Sequence, residues 1–262
     1  MSLRDELKSL KLDKSTRNVK ILTIDIETKP MLVYSWGLFN QFHSIDQIAD
    51  HGGLLCFSAK WMHEKKPMFF RGEGMVQAAW DLLNEADIIV TYNGWKFDVP
   101  RLNNEFLIGG LNPPATYKHV DLIKTNKRRF DLPSRKLDYL AQRVIGDHKT
   151  QHTGFQLWLD CMADNAAGWK LMEKYNRQDV KLTEQLYLEL LPWLVDQPHL
   201  AVMSGDDNQR RCSHCGSADL ALLSKPRYAY VRMYELHRCQ NCGALNHMTG
   251  TIGANHFTRS AR

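Results

Sequence analysis

The segment VKILTIDIET, residues 19–28, is the feature that most constrains the fold of this chain. Apolar residues run almost without interruption from Val19 to Ile26, as in a strand that is covered on both faces of a sheet. Side chains alternate along a strand, so Asp25 and Glu27 point to the same side. Two carboxylates at the end of a buried strand repel each other unless a cation lies between them. Such oxygen ligands suit Mg²⁺ or Mn²⁺, although an isolated pair of acids is more often simply solvated.

The second block has a further acid, which follows the next buried strand. Residues 87–91 form a predicted short strand, the letters YNG that follow indicate a turn, and a helix is predicted from 96 to 109. Asp98 then lies in the first turn of that helix, where the helix dipole favours negative charge. A helix cap alone would explain Asp98, but it requires neither Asn93 nor Phe97.

The third block has a fourth acid, which lies on the clearest helix pattern of the chain. Apolar residues recur with helical period over residues 168–191, and Pro192 ends the pattern. Tyr175 and Asp179 are four residues apart and share one face of this helix. Taken singly, such a pair is more often a core tyrosine beside a surface aspartate. The three blocks in this order and at these spacings seldom arise by chance.

Together the blocks resemble the three exonuclease motifs of the DEDD-type 3′–5′ exonucleases, which have an RNase H-like fold. A related group has histidine five residues before the last aspartate, but Lys174 occupies that position here, so the chain resembles the tyrosine subgroup. The likeness covers residues 19–195. It extends to the exonuclease domains associated with family-B polymerases and to stand-alone bacterial and phage relatives. The chain is too short to include a polymerase, which argues against built-in proofreading.

The resemblance implies hydrolysis of a 3′-terminal phosphodiester with two Mg²⁺ or Mn²⁺ ions about 3.5–4 Å apart. The metal ligands that it implies are Asp25, Glu27, Asp98 and Asp179. Tyr175 would orient the attacking water. The candidate substrate-binding residues are Thr28, Asn93, Phe97 and Trp36. The resemblance to polymerase exonuclease domains favours single-stranded DNA as the expected substrate, in proofreading or repair, and a DNA polymerase or another replication protein as a candidate partner. The alternatives are an exoribonuclease and a nucleic-acid-binding module with an idle nuclease fold.

Four of the six cysteines form a further motif. Two residues separate Cys212 from Cys215 and Cys239 from Cys242, a glycine follows each pair, and 23 residues lie between the pairs. This is the spacing of a four-cysteine zinc ribbon, and four protein ligands leave no open position, so we expect a structural Zn²⁺. A segment of about 40 residues cannot bury enough apolar surface to fold without the metal. Aromatic and basic residues are interspersed between the two cysteine pairs: Tyr228, Tyr230, Arg232, Tyr234 and Arg238. They would either bind nucleic acid or form the small core of the ribbon itself.

Charge and composition bound the remaining possibilities. The 262-residue chain has a net charge of +5, and residues 201–262 hold eight basic against four acidic residues. Six basic residues between 124 and 136 give a candidate phosphate track or a solvated face. Cys56 and Cys161 lie in apolar stretches and are expected to be packed thiols. No apolar run suits a membrane span and no signal-peptide core is visible, so we expect a cytoplasmic protein of a bacterial or phage-infected cell.

The predicted fold class is α/β, an RNase H-like mixed β-sheet flanked by helices, plus a small C-terminal zinc ribbon. Strands are predicted at 19–27, 53–61, 67–71, 87–91 and 118–122, and helices at 75–86, 96–109, 136–144 and 168–191. The predicted domains are an arm (1–18), a nuclease domain (19–200), a linker (201–211), the ribbon (212–250) and a flexible tail (251–262). The connection from 30 to 53 is predicted to be a base-stacking loop or a lid because of its aromatics, Tyr34, Trp36, Phe39, Phe42 and His43.

Overall fold

A computed structural model of the protein describes residues 12–16, 18–205, 209–229 and 232–252. The chain divides into two compact units, Lys20–Leu186 and Tyr187–Arg262 together with Met1–Val19. Most of the predicted arm, Tyr230 and nearly all of the predicted tail lie outside the described residues. The predicted domain boundaries remain predictions, because compactness alone does not establish which segment folds independently.

A five-stranded mixed sheet forms the centre of the larger unit. Its strands are β1 (Ile21–Lys29), β4 (Gly53–Trp61), β5 (Met68–Arg71), β6 (Ile88–Thr91) and β7 (Lys118–Asp121), in the order β5-β4-β1-β6-β7. A hairpin of β2 (Leu32–Val33) and β3 (Ile48–Asp50) lies in the connection between β1 and β4. β1 is parallel to β6 and β6 to β7, whereas β4 is antiparallel to β1 and β5. The central position of β1 explains its nearly continuous apolar sequence.

Six α-helices accompany this sheet among the described residues up to Leu190. They are α1 (Met75–Glu85), α2 (Asp98–Ile108), α3 (Leu122–Arg129), α4 (Leu137–Val144), α5 (Gln156–Met162) and α6 (Ala166–Leu190). The predicted strands and helices are present, with ends within two residues of the expected positions. The sequence did not predict the β2–β3 hairpin, α3 or α5. These elements are too short to show a hydrophobic period, and four cations obscure the apolar face of α3.

The alternation of side chains along β1 sends its apolar and acidic residues to opposite faces. Ile24 belongs to one buried cluster with residues of α1 and with Leu102 of α2. A second buried cluster joins β4 to α5 and to Met172 of α6. Asp25 and Glu27 alternate with the residues of the first cluster, and they therefore point toward the face covered by α5 and α6.

The second unit contains a small antiparallel sheet. Its strands are β8 (Leu220–Leu222), β9 (Arg227–Ala229), β10 (Arg232–Cys239) and β11 (Leu245–Thr251), with β10 between β11 and β8 and also paired with β9. A short helix, α7 (Leu200–Met203), lies at the start of the segment predicted as a linker. The β structure between the two cysteine pairs agrees with the β-forming character of that sequence.

Candidate active site

Three carboxylates from two elements meet on one face of the sheet. Carboxylate oxygens of Asp25, Glu27 and Asp179 lie within 4.8 Å of one another. The buried amide of Asn176 ties α6 to β1, because its Nδ2 donates to the Asp25 carboxylate at 2.7 Å and to the Asp25 carbonyl at 3.2 Å. Asn176 lies inside the Tyr-x-x-x-Asp motif, but the sequence gives it no signal of its own. The fold thus brings the acids of the first and third sequence blocks together.

The acid of the second block, Asp98, is the first residue of α2 and is buried. Its Oδ1 accepts a hydrogen bond from the Ile26 backbone amide at 3.1 Å, between the two acids of β1. Burial raises the pKa of Asp98 to about 7, although this hydrogen bond opposes the shift. The charge of Asp98 in turn helps to raise the pKa of Asp25 and of Glu27. The second block therefore lies beside the other two.

The electrostatics of the cluster favour a bound cation. Burial, followed by repulsion from Asp179, raises the pKa of Asp25 well above its ordinary value. The same two causes raise the pKa of Glu27 to about 8. Oδ1 of Asp179 is buried and has no hydrogen-bond partner among the described residues. A divalent cation would supply a partner for this oxygen and would keep the carboxylates ionised, so the residues present fit Mg²⁺ or Mn²⁺.

A lysine that the sequence gave no reason to select completes the group. Nζ of Lys149 lies 2.6 Å from Oδ2 of Asp179 and donates a hydrogen bond to Oη of Tyr175 at 2.8 Å. Burial lowers the pKa of Lys149, but Asp179 and Tyr175 raise it by more. Burial and then Asp179 raise the pKa of Tyr175, so its phenol stays protonated. Lys149 lies in a loop after α4, where no periodicity or motif draws attention to it.

A cavity of about 400 Å³ is lined by two rings that contact Tyr175, those of His152 and Trp158. It is lined by Thr28, Pro30, His152, Gly154, Phe155 and Trp158. The ring centroid of His152 is 4.8 Å from that of Tyr175 and 5.5 Å from that of Trp158. Its volume lies in the range of about 300–1,000 Å³ that is usual for ligand pockets. Thr28, a predicted substrate-binding residue, thus lines an aromatic concavity beside the acids.

The turn after β6 is fixed by a buried carboxylate that the sequence did not single out. Asp121 ends β7, and its Oδ1 accepts from the Asn93 amide at 2.7 Å while its Oδ2 accepts from the Trp95 amide at 3.1 Å. Asn93 has a φ of 69°, in the left-handed region. Phe97 is 38% exposed, with the Arg101 guanidinium 5.8 Å from its ring centroid. The turn therefore displays Phe97 beside the buried Asp98.

Trp36, the remaining predicted substrate-binding residue, lies on the long connection between β2 and β3. Its side chain is 96% exposed, and Tyr34, Phe39 and Phe42 on the same connection are also exposed. Within the described part of the chain, Trp36 has no hydrogen bond or ring contact with the acidic cluster. The role of Trp36 in substrate binding stays a prediction, and so do the two alternatives for this connection, a stacking loop and a lid.

The four motif cysteines also meet, in the second unit. Their sulfurs lie within 4.8 Å of one another and all four residues are buried. Nδ2 of Asn241 donates to the Cys215 sulfur and Nδ2 of Asn246 to the Cys212 sulfur, both at 3.5 Å. Hydrogen bonds to sulfur stabilise thiolates, and four clustered thiolates fit a tetrahedral zinc ion. Cys56 and Cys161, by contrast, are packed thiols, and burial raises the pKa of Cys161 to about 11.

The fold and the acidic cluster together define a nuclease-like protein. A family model of the RNase_H superfamily matches residues 49–191, which is more than half of the chain, so the protein belongs to the RNase H superfamily. This confirms the RNase H-like part of the predicted fold class, whereas the zinc ribbon stays a prediction. The matched segment begins after Asp25 and Glu27 but includes Asp98, Tyr175 and Asp179.

Comparison with solved structures gives the same fold. The family B DNA polymerase from the hyperthermophilic archaeon Pyrobaculum calidifontis matches with a TM-score of 0.51 and 18% sequence identity. The match covers 66% of this chain and 25% of the polymerase, so the matched part of this chain spans only a quarter of that protein's length. No curated protein matches the chain. Among the described helices, none combines the length and apolar character needed to cross a bilayer.

Proposed function

We propose that this protein is a metal-dependent 3′–5′ exonuclease that acts on single-stranded nucleic acid, with DNA preferred over RNA. The observation that carries the proposal is the convergence of Asp25, Glu27 and Asp179 within 4.8 Å, with Asp98 beside them. Membership of the RNase H superfamily supports nuclease chemistry at this site. The motif order and the tyrosine four residues before Asp179 support the 3′–5′ exonuclease class.

The four acids would hold two Mg²⁺ or Mn²⁺ ions. Bound there, the metal would supply a nucleophile at neutral pH and stabilise charge on the leaving oxygen. The protein's own contribution is a set of carboxylates that are already assembled, with Asp98 and Asp179 buried and the other two half-buried. Asn176 and the amide of Ile26 fix two of these carboxylates by hydrogen bonds, so little reorganisation is needed when the site fills.

Tyr175 and Lys149 would position the attacking water. The Tyr175 phenol is neutral, held by the Lys149 ammonium at 2.8 Å, and it lies one helical turn from Asp179. A neutral phenol donates one hydrogen bond and accepts others, as a group that orients a water molecule must. Lys149 fixes the direction of the hydroxyl and adds a positive charge where negative charge develops in the transition state.

The cavity beside Tyr175 is suited to the 3′-terminal nucleoside. Its walls combine the flat rings of Trp158 and Phe155 with the polar groups of Thr28 and His152. The Gly154 amide donates to Nδ1 of His152 at 3.1 Å, so the neutral ring carries its proton on Nε2. An aromatic wall with a few polar groups stacks a base while leaving its identity open.

The four-cysteine unit would bind one structural Zn²⁺ through Cys212, Cys215, Cys239 and Cys242. Its exposed Tyr228 and Arg238 give a surface for nucleic acid or for a replication protein such as a DNA polymerase. Binding assays with and without residues 201–262 would separate substrate capture from partner capture. The unit would then add affinity or recruitment to the nuclease activity of the rest of the chain.

The decisive experiment is digestion of a 5′-labelled single-stranded DNA and its RNA counterpart with Mn²⁺, Mg²⁺ or EDTA. We expect a metal-dependent ladder that shortens from the 3′ end, and none with Asp179→Asn. The matched control is Asp81→Asn, which removes an exposed carboxylate from α1. Full metal-dependent activity of Asp179→Asn would refute the mechanism. A folded wild-type protein that degrades neither strand would indicate a binding module instead.

A further inference from the structure

An exposed tryptophan is mounted rigidly next to the acidic site. Trp95 is 58% exposed, although it lies in the turn that leads to Asp98. The carboxylate of Asp121 binds the backbone amides of Asn93 and Trp95, so the ring projects from a fixed support. A large apolar ring held in place in solvent loses little entropy when it stacks on a ligand. This position has the properties of a stacking platform.

A lysine ammonium, a second ring and a run of basic residues border the Trp95 ring. Nζ of Lys124, on α3, lies 4.1 Å from the centroid of the Trp95 ring, and the His119 ring lies 5.7 Å from it. The exposed end of α3 carries Lys127, Arg128 and Arg129, and Arg135 and Lys136 follow, with Asp131 as the single acid between 122 and 136. Aromatic rings interleaved with lysine and arginine are typical of surfaces that bind single-stranded nucleic acid.

The strand order fixes how far this surface lies from the acids. β1, β6 and β7 are consecutive and parallel, so their carboxyl ends lie at one edge of the sheet. Neighbouring strands are about 4.8 Å apart, which places the start of α3 about 10 Å from β1. A stacked nucleic-acid strand has one phosphate per about 3.4 Å, so this distance corresponds to about three nucleotides. The eight residues of α3 extend the surface by about 12 Å.

We infer that Trp95, Lys124 and the basic end of α3 bind the substrate strand upstream of its 3′ end, beginning about three nucleotides from the scissile bond. Trp95 stacks on a base, and the cations contact the phosphates that follow. This surface therefore favours the binding of strands that are long enough to reach it over the binding of dinucleotides. This inference rests on the proposed function for its orientation along the strand, but the binding that it describes needs neither metal nor catalysis.

The test is fluorescence anisotropy with a dye-labelled single-stranded 12-mer, as DNA and as RNA, in EDTA and at several salt concentrations. Trp95→Ala should weaken binding roughly 5- to 150-fold, the range for losing one base stack, while Trp95→Phe should retain most of the affinity. Lys127→Ala with Arg128→Ala should reduce the salt slope by about 1.4, because each phosphate contact on a single strand contributes about 0.7. The charge-matched control is Lys65→Ala with Lys66→Ala, in the exposed turn at the opposite edge of the sheet.

The outcomes separate this surface from the proposed function. Unchanged binding by Trp95→Ala, or equal salt slopes for the two double variants, would overturn the inference even if the enzyme cleaves DNA. If the wild type and the variants bind as expected but the wild type does not hydrolyse the strand in Mn²⁺, the binding surface would be supported and the exonuclease proposal would be wrong. If the wild type hydrolyses DNA, Trp95→Ala should lower kcat/KM for the 12-mer and leave kcat/KM for a dinucleotide unchanged. An equal loss on both substrates would mean that Trp95 supports the acids instead.

Discussion

Replacing Lys149 with methionine tests the electrostatic reasoning about the acidic site. The Lys149 side chain is 27% exposed and its partner Asp179 only 2% exposed, so the pair is largely shielded from water. Breaking a buried ion pair costs about 3–5 kcal/mol, and Lys149 also loses a charged hydrogen bond to Tyr175, worth about 1.5–3 kcal/mol. Because Lys149 is partly exposed and Asp179 can take up a proton, we expect a loss of about 3 kcal/mol at pH 8 in EDTA.

The pH and the metal should modulate this loss in a defined direction. Lys149 lowers the pKa of Asp179, so the variant should protonate Asp179 at higher pH and lose less stability at pH 6 than at pH 8. Saturating Mn²⁺ should reduce the deficit, since the cation replaces the missing positive charge. The measurement is urea unfolding at both pH values, with EDTA and with Mn²⁺.

Lys149→Met should also lower activity, because the Tyr175 hydroxyl loses the group that orients it, whereas binding of the strand should be unaffected. We expect kcat to fall roughly 100-fold with KM little changed, at the low end of the effect of a positioned acid–base group. Lys174→Met is the matched control, because Lys174 is exposed on the same helix as Tyr175. If Lys149→Met and Lys174→Met had the same stability and the same kcat, the role given to Lys149 would be wrong.

Three further predictions follow from the buried charges and the cysteines. Glu27 and Asp98 have folded-state pKa values raised to about 8 and 7, so the stability that their protonation provides is present at acid pH and lost as pH rises through those values. The Tm in EDTA should therefore fall between pH 6 and 9, and Mn²⁺ should flatten this profile; a Tm that rises with pH would contradict it. We expect metal analysis of the wild type to find one equivalent of zinc, and Cys239→Ser should abolish it and expose the ribbon to limited proteolysis. Retained zinc in the variant would rule out a four-cysteine site. Asp121→Asn should destabilise the protein by about 2 kcal/mol in urea unfolding, because an amide cannot accept from both Asn93 and Trp95, and an unchanged unfolding midpoint would show that the turn does not depend on the carboxylate.

The sequence predicted the residues whose chemistry leaves a local pattern. Asp25 and Glu27 stand out because acids interrupt an apolar strand, and Tyr175 and Asp179 because a long amphipathic helix fixes their common face. Cys212 and its three partners stand out by spacing alone. In each case, one element of known period sets the direction of the side chain, so no tertiary information is required.

The residues that escaped prediction act through contacts between distant segments. Lys149 reaches Asp179 from an irregular loop, and Asp121 reaches Asn93 from a strand 28 residues further along the chain. Neither contact has a local signature, because a loop has no period and an acid at a strand end is common. For Trp36 the aromatic neighbourhood suggests a substrate contact, but sequence proximity to β1 does not determine where a long loop folds, so this contact stays a prediction.

At the place where the acids lie, β1 continues beyond the end of its neighbour β6. This difference in length limits how the protein could be redesigned. β1 has nine residues and β6 only four, and their ladder ends at Thr23 and Val90. The Ile26 amide lies beyond that last pair, and Asp98 binds it where a longer β6 would. Matching strand lengths, a standard route to an idealised and more stable sheet, would fill this notch with backbone and displace the carboxylate. Stability engineering of this fold must therefore leave β6 short.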